Sequence, residues 1–190
     1  MAIQRRRARR FLILVMGVAA SGKSTLSRKI LQRIRAVYLD NNHIADAFFP
    51  NTRNGGRYAR LRPSFYSTLY RIAEENLKCG NSVLLDVPHI KDVQTSEWPG
   101  SIKKLARRTK TTLVTIRCVC SEKVLHARIS GRGELRDEWK LKHWKQFLTQ
   151  EPIRVAIPFR HLDVDTEGSL PHNVNTAISY IKRHLASWSS

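Results

Sequence analysis

Acidic side chains are scarce in this 190-residue sequence: fifteen Asp and Glu stand against thirty-four Lys and Arg, for a formal net charge of +19. Such an imbalance suits an anionic partner, whether nucleotide, nucleic acid or an acidic membrane surface. Much of the excess is dispersed over residues 5–10, 103–110 and 140–145. Cysteine is nearly absent too, with only Cys79, Cys118 and Cys120. An odd count argues against a disulfide framework, and no third and fourth ligand stands at zinc spacing. Cys118 and Cys120 alternate as small core residues of a strand do, so the chain reads as reduced and cytoplasmic. Long apolar runs are missing as well. The longest, residues 11–20, is bounded by arginines and Gly22-Lys23 and falls short of the ~18 residues a membrane span requires. Apolar content is a modest 42%, yet four Trp, six Phe and five Tyr exclude a disordered chain. Neither an internal repeat nor a linker is visible, and the length fits one domain.

What is present begins with RRFLILVMGVAASGKST, residues 9–25. Twin arginines, an apolar run and small residues at Val18-Ala19-Ala20 sketch a cleavable export signal. The same letters form a buried strand running into Gly17-x-x-x-x-Gly22-Lys23-Ser24, a phosphate-binding loop. Cleavage after Ala20 would sever the loop from its strand, so the readings exclude each other. The second has the strand before and the helix after that the chemistry demands. Glycines let successive N–H groups point inward, and the helix N-terminus adds about half a positive charge. Gly17, Ala20, Ser21, Gly22, Lys23, Ser24 and Thr25 are therefore expected to hold a nucleotide. Lys23 would reach its outer phosphates, and the Ser24 hydroxyl would ligate magnesium. Residues 1–10 then form a basic, flexible arm.

Beyond the loop the pattern alternates strand and helix, which argues for a parallel sheet covered by helices. Strands are expected at residues 11–16, 36–40, 82–88, 111–120 and 160–165. Helices are expected at 23–35, from Pro63 to Gly80 with Phe65, Leu69, Ile72 and Leu77 inward, and at 99–109. A further helix follows an N-cap at Ser121, then comes a Trp-rich helix to about 150 and a closing one through Val174, Ile178, Ile181 and Leu185. Residues 41–62 look less regular, with Gly55-Gly56 as a turn. The ends, residues 1–8 and 187–190, look disordered.

Asp40 and Asp86 both fall at carboxyl ends of expected strands, the edge where open α/β sheets bind ligands. Asp86 closes an apolar run, as a magnesium-organising carboxylate does; a turn role is the alternative. Asp40 is a candidate general base for an acceptor hydroxyl, or an anchor for the acceptor; the turn-like Asp40-Asn41-Asn42-His43 also fits a structural role. Arg128 and Arg132, in a glycine-hinged segment with Arg136, could close over the nucleotide and stabilise transferred charge. His43, Arg57 and Arg60 are further acceptor-binding candidates. Arg53, Arg62 and His89 lie close by in sequence, and Trp139, Trp144 and Phe147 suit packing better than base stacking.

In this order, GVAASGKST, YLD, VLLD and RISGRGELRD resemble the small P-loop kinases of the nucleoside-monophosphate, shikimate and gluconate kinase type. RGELRDEWKLKHWKQF is similar to AAA-type ATP-binding proteins grouped near them. The likeness spans about residues 11–185. It implies an α/β three-layer sandwich with a five-stranded parallel sheet in the order 2-3-1-4-5, and a P-loop kinase domain over residues 11–187. ATP with Mg2+ is the implied donor, residues 41–80 the acceptor-binding segment and 128–150 the lid. The acceptor expected is a hydroxyl-bearing small molecule. Two alternatives stay open. One is a polynucleotide 5′-hydroxyl kinase, whose usual pattern has an arginine where this chain has His43. The other is a nucleotide-dependent switch without transfer activity.

Overall fold

The computed structural model describes residues 10–53 and 55–186. Four positions of the basic arm's arginines, residues 5–7 and 9, and the terminal residues 187–190 lie outside the described residues. The first strand, β1 (Phe11–Met16), is buried at every position, as an uninterrupted apolar run must be at the centre of a parallel sheet. Helix α1 (Lys23–Leu31) follows the glycine turn, and β2 (Val37–Asp40) comes next. Then come α2 (Asn41–Phe48), α3 (Gly56–Lys78), β3 (Val83–Asp86), α4 (Trp98–Thr109) and β4 (Thr112–Val119). The remainder is α5 (Glu122–Gly131), the short α6 (Glu138–Lys142) and α7 (Trp144–Gln150), β5 (Leu162–Asp165) and α8 (Leu170–Ala186).

The five strands are all parallel, in the order β2-β3-β1-β4-β5. Alternation along β1 sorts the core. Ile13 and Val15 face one side, where they meet Leu26 and Ile30 of α1 and Val174, Ile178 and Ile181 of α8. Leu12 and Leu14 face the other, against Phe65, Leu69 and Leu77 of α3 and Ile102 and Leu105 of α4. A third cluster at the carboxyl edge joins Met16 and Val18 to Leu125, Ile129 and Phe147. Full burial of each such Leu or Ile stabilises by about 1.5–3 kcal/mol. On the β4–β5 flank, Arg117 is buried and forms a bidentate pair with Asp163, its partner in the register (2.7 and 2.6 Å).

Three expectations need correction. Residues 41–62 are mostly helical: Asp40 caps α2, and α3 begins at Gly56, seven residues before Pro63. Proline therefore sits inside α3 rather than opening it, because burial of one face outweighs its missing N–H. On that face Ala73 replaces Ile72, which is exposed, since Phe65, Leu69, Ala73 and Leu77 form the inward row. The Trp-rich helix is broken at His143 into α6 and α7. Helix α1 stops at Leu31, short of residue 35.

Candidate active site

The turn from β1 into α1 is held open by backbone that side chains rarely adopt. Gly17 has φ +136° and Gly22 φ +88°, and Ala20, at φ +63°, accepts the left-handed region at a cost of about 1 kcal/mol. A Cβ on Gly17 would lie 2.5 Å from the Cys118 carbonyl oxygen and 2.7 Å from Ser21 Oγ, so the loop closes only with glycine there. Gly22 caps α1 without a side-chain acceptor. Among the described residues the N–H groups of Ala19, Ala20, Gly22, Lys23 and Ser24 find no protein acceptor. Such a ring of free donors at a helix start is chemically matched to phosphate. Lys23 is buried and donates to the Val18 carbonyl (2.8 Å), which keeps its ammonium inside the loop. The Ser21 hydroxyl is buried without a hydrogen-bond partner.

Parallel pairing carries two carboxylates to this loop. Asp86 stands beside Val15 in the β1–β3 ladder and opposite Asp40 in the β2–β3 ladder. Both are buried, and both line one cavity of about 820 Å³ with Lys23 and Ser24. Burial raises the Asp86 pKa, and the Asp40 charge adds to it, while Lys23 and hydrogen bonds from Ser24 and Tyr38 work the other way. Asp40 Oδ1 accepts the Asn42 N–H (2.8 Å), capping α2, so its turn role is real. Its Oδ2 lies 3.2 Å from the Tyr38 hydroxyl, which is also 2.9 Å from Asp86 Oδ2. Tyr38 thus links the two acids. The Ser24 hydroxyl and the Asp86 carboxylate are hard oxygen donors side by side, a set that fits Mg2+ with one or two protein ligands.

The far wall comes from α5 to α7. Arg128 leaves the end of α5 and donates to Thr166 Oγ1 (2.9 Å) and its carbonyl (2.7 Å), tying it to the loop after β5. Arg132 and Lys140 both pair with Asp137, which is almost fully buried. Arg136 and Arg53 share Asp46 of α2, a bridge between this wall and the segment before α3. Arg128, Arg132, Trp139 and Phe147 line the cavity, whereas Trp144 packs on Phe147 and donates to Glu122 (2.7 Å).

Three acceptor candidates fall elsewhere. His43 is exposed and stands edge-on to the Tyr38 ring, and Arg57 and Arg60 are exposed; none lines the cavity. The helical phase of α3 turns Tyr58 and Arg62 inward in their place. His89, expected at the rim, is fully buried at φ +55°, within hydrogen-bond distance of Asp92 (3.1 Å) and Tyr70 (3.1 Å). Tyr38, Asn41, Asn42 and Asp46 had no motif to mark them. The turn-like chemistry after Asp40 was the nearest signal. Among the described residues no helix is long and apolar enough to cross a membrane.

The same arrangement recurs in known proteins. A candidate kinase from Chloroflexus aurantiacus superposes with a TM-score of 0.70 at 23% identity, over 91% of this chain and 99% of that one. The APS kinase of Mycobacterium tuberculosis, in complex with AMPPNP and APS, gives 0.64 at 14% identity, over 92% and 99%. At these identities the likeness is one of fold. A guanylate kinase from Chromohalobacter salexigens is 24% identical over 143 residues, spanning 64% of this chain and 61% of that relative's length. A family model described as an AAA domain matches residues 12–151, from β1 through the cavity's far wall. The chain belongs to that AAA domain family, and its fold is that of a P-loop kinase.

Proposed function

We propose that the protein is an ATP- and Mg2+-dependent phosphotransferase that moves the γ-phosphate to a hydroxyl of a small-molecule acceptor. The observation that carries this reading is the register pair Asp40–Asp86, set beside the glycine loop in one cavity. A nucleotide-binding switch has no need of a second carboxylate there.

Free N–H groups of residues 19–24 and the Lys23 ammonium would hold the triphosphate. Ser24 and Asp86 would hold Mg2+, which when bound neutralises phosphate charge. Asp40 would take the proton of the acceptor hydroxyl as that oxygen bonds to phosphorus. The bond from phosphorus to the bridging oxygen breaks, and its electron pair leaves with ADP. Asn42 and Tyr38 keep the Asp40 carboxylate in place. Arg128 and Arg132 would stabilise the equatorial charge, and the wall from residues 128 to 150 would exclude water, a competing acceptor. Residues 41–80 would choose the acceptor. Three free thiols and ATP dependence fit a cytoplasmic setting.

The test is transfer of labelled γ-phosphate to a panel of nucleosides, sugars, their anionic derivatives and oligonucleotides. Lys23→Ala is expected to abolish product while keeping the fold. Asp40→Asn is expected to keep ATP binding and lower transfer about 10²-fold or more. Unchanged transfer in Asp40→Asn would remove it from the base role, and ATP binding with no product on any acceptor would favour the switch.

A further inference from the structure

Five arginines line the cavity: Arg53, Arg62, Arg128, Arg132 and Arg136. Four of them are committed to the protein. Arg128 serves Thr166, Arg132 serves Asp137, Arg136 serves Asp46, and Arg53 serves Asn42 and Asp46. Arg62 differs. Among the described residues its one hydrogen bond is from Nη2 to the Tyr66 hydroxyl (3.0 Å). Asp92 Oδ2 lies 3.6 Å from that same nitrogen, beyond hydrogen-bond distance. A guanidinium carries five N–H donors, so four face no protein acceptor although the side chain is only 21% exposed.

The group is also fixed. Its carbon lies 4.3 Å from the centre of the Tyr66 ring, and Asp92, which supplies its nearest negative charge, is itself held by the buried His89. A partly buried cation with a rigid open fork is matched by a planar or tetrahedral oxyanion, bound through two parallel N–H bonds. Topology places that fork on the acceptor's side. It projects from α3, which follows β2, while Arg128 and Thr166 belong to the β4–β5 half across the loop. Beside it, Asn41 is 4% exposed and its Oδ1 lacks a partner.

From this, and resting on the phosphotransferase reading, we infer that the acceptor is itself an anion: a small molecule with a carboxylate or phosphate, gripped by Arg62, in addition to the hydroxyl that Asp40 deprotonates. Arg62 is then a specificity residue rather than part of the transfer chemistry.

Matched pairs test this: each nucleoside against its monophosphate, and each aldose against its aldonate, as acceptors with MgATP. One anionic member is expected to exceed its neutral partner at least tenfold in kcat/KM, and the pair in which this happens separates phosphate from carboxylate. Arg62→Gln should raise the KM of that acceptor about thirtyfold or more, with kcat and the KM for ATP little changed. Arg62→Lys, which keeps charge but loses the fork, should recover only part of the loss. Neutral partners preferred throughout, or equal losses on both members of a pair, would overturn the inference. Should no acceptor be phosphorylated, the transfer reading fails on that panel, and binding decides the rest. Inorganic phosphate is titrated into protein saturated with Mg2+ and a non-hydrolysable ATP analogue. Binding that Arg62→Gln abolishes supports the anion site, and binding that is absent or independent of Arg62 refutes it.

Discussion

At the scale of single residues, backbone conformation and burial decide what the site tolerates. Gly17 is the sharpest case. Gly17→Ala combines a left-handed φ with a contact of 2.5 Å to a strand carbonyl, so the loop must shift. The variant is expected to lose nucleotide affinity at least tenfold and to melt lower, read by calorimetric titration and thermal unfolding. His89 gives a pH signature. Burial holds its pKa below the ordinary imidazole value, outweighing the hydrogen bond and charge of Asp92, with Tyr66, Tyr70, Trp98 and Arg62 packed around it. The unfolded chain therefore takes up a proton near pH 6.5 that the folded chain refuses. Stability from this group is fully present above about pH 6.5 and is lost as pH falls toward the folded value. Asp92, whose pKa is lowered by His89 and Arg62 against the effect of burial, titrates well below that window. His89→Asn, which tolerates positive φ, should flatten the decline in melting temperature between pH 7 and 5.5. The phosphate loop, Asp40 and Asp86 were legible in the sequence because glycine spacing and strand-end carboxylates are local signals. Tyr38, Arg62 and His89 were not, because their roles depend on which strands and helix faces become neighbours.

At the scale of elements, hydrophobic spacing marked the strands and most helices, while burial overrode local cues in the acceptor segment. Pro63 read as a helix start, yet it stands in the eighth position of α3 and leaves the Ala59 carbonyl without its helical donor. Pro63→Ala is expected to stabilise the protein by about 1–2 kcal/mol, once the proline's restriction of the unfolded chain is deducted. Chemical denaturation measures this, and an unchanged midpoint would show that the turn around Arg62 is strained for another reason. In the far wall, Asp137 is the anchor: it is 1% exposed and holds both Arg132 and Lys140. Asp137→Ala should cost about 1–3 kcal/mol, less than a fully buried pair because both cations keep some solvent contact. It should also raise hydrogen exchange across residues 132–150 more than in the sheet.

For the whole molecule, the excess of positive charge does not converge on Asp40. Residues 98–121 contain no acid, and Lys103, Lys104, Arg107, Arg108 and Lys110 are exposed along α4 and the turn behind it. In a parallel sheet that turn lies at the amino edge, opposite the cavity. A polynucleotide end kinase would place its basic track toward the base. Transfer to a 5′-hydroxyl oligonucleotide is therefore expected to gain nothing with chain length and to be insensitive to Lys104→Glu and Arg107→Glu. A rate that climbs with length and collapses in those variants would reverse this.

The most direct measurement of the central claim is an equilibrium titration of a non-hydrolysable ATP analogue with Mg2+ into wild-type protein and Lys23→Ala, followed by calorimetry. The account predicts one site per chain in the wild type, weakened without Mg2+ and lost in the variant while its circular dichroism is unchanged. Equal affinity in both proteins would contradict it.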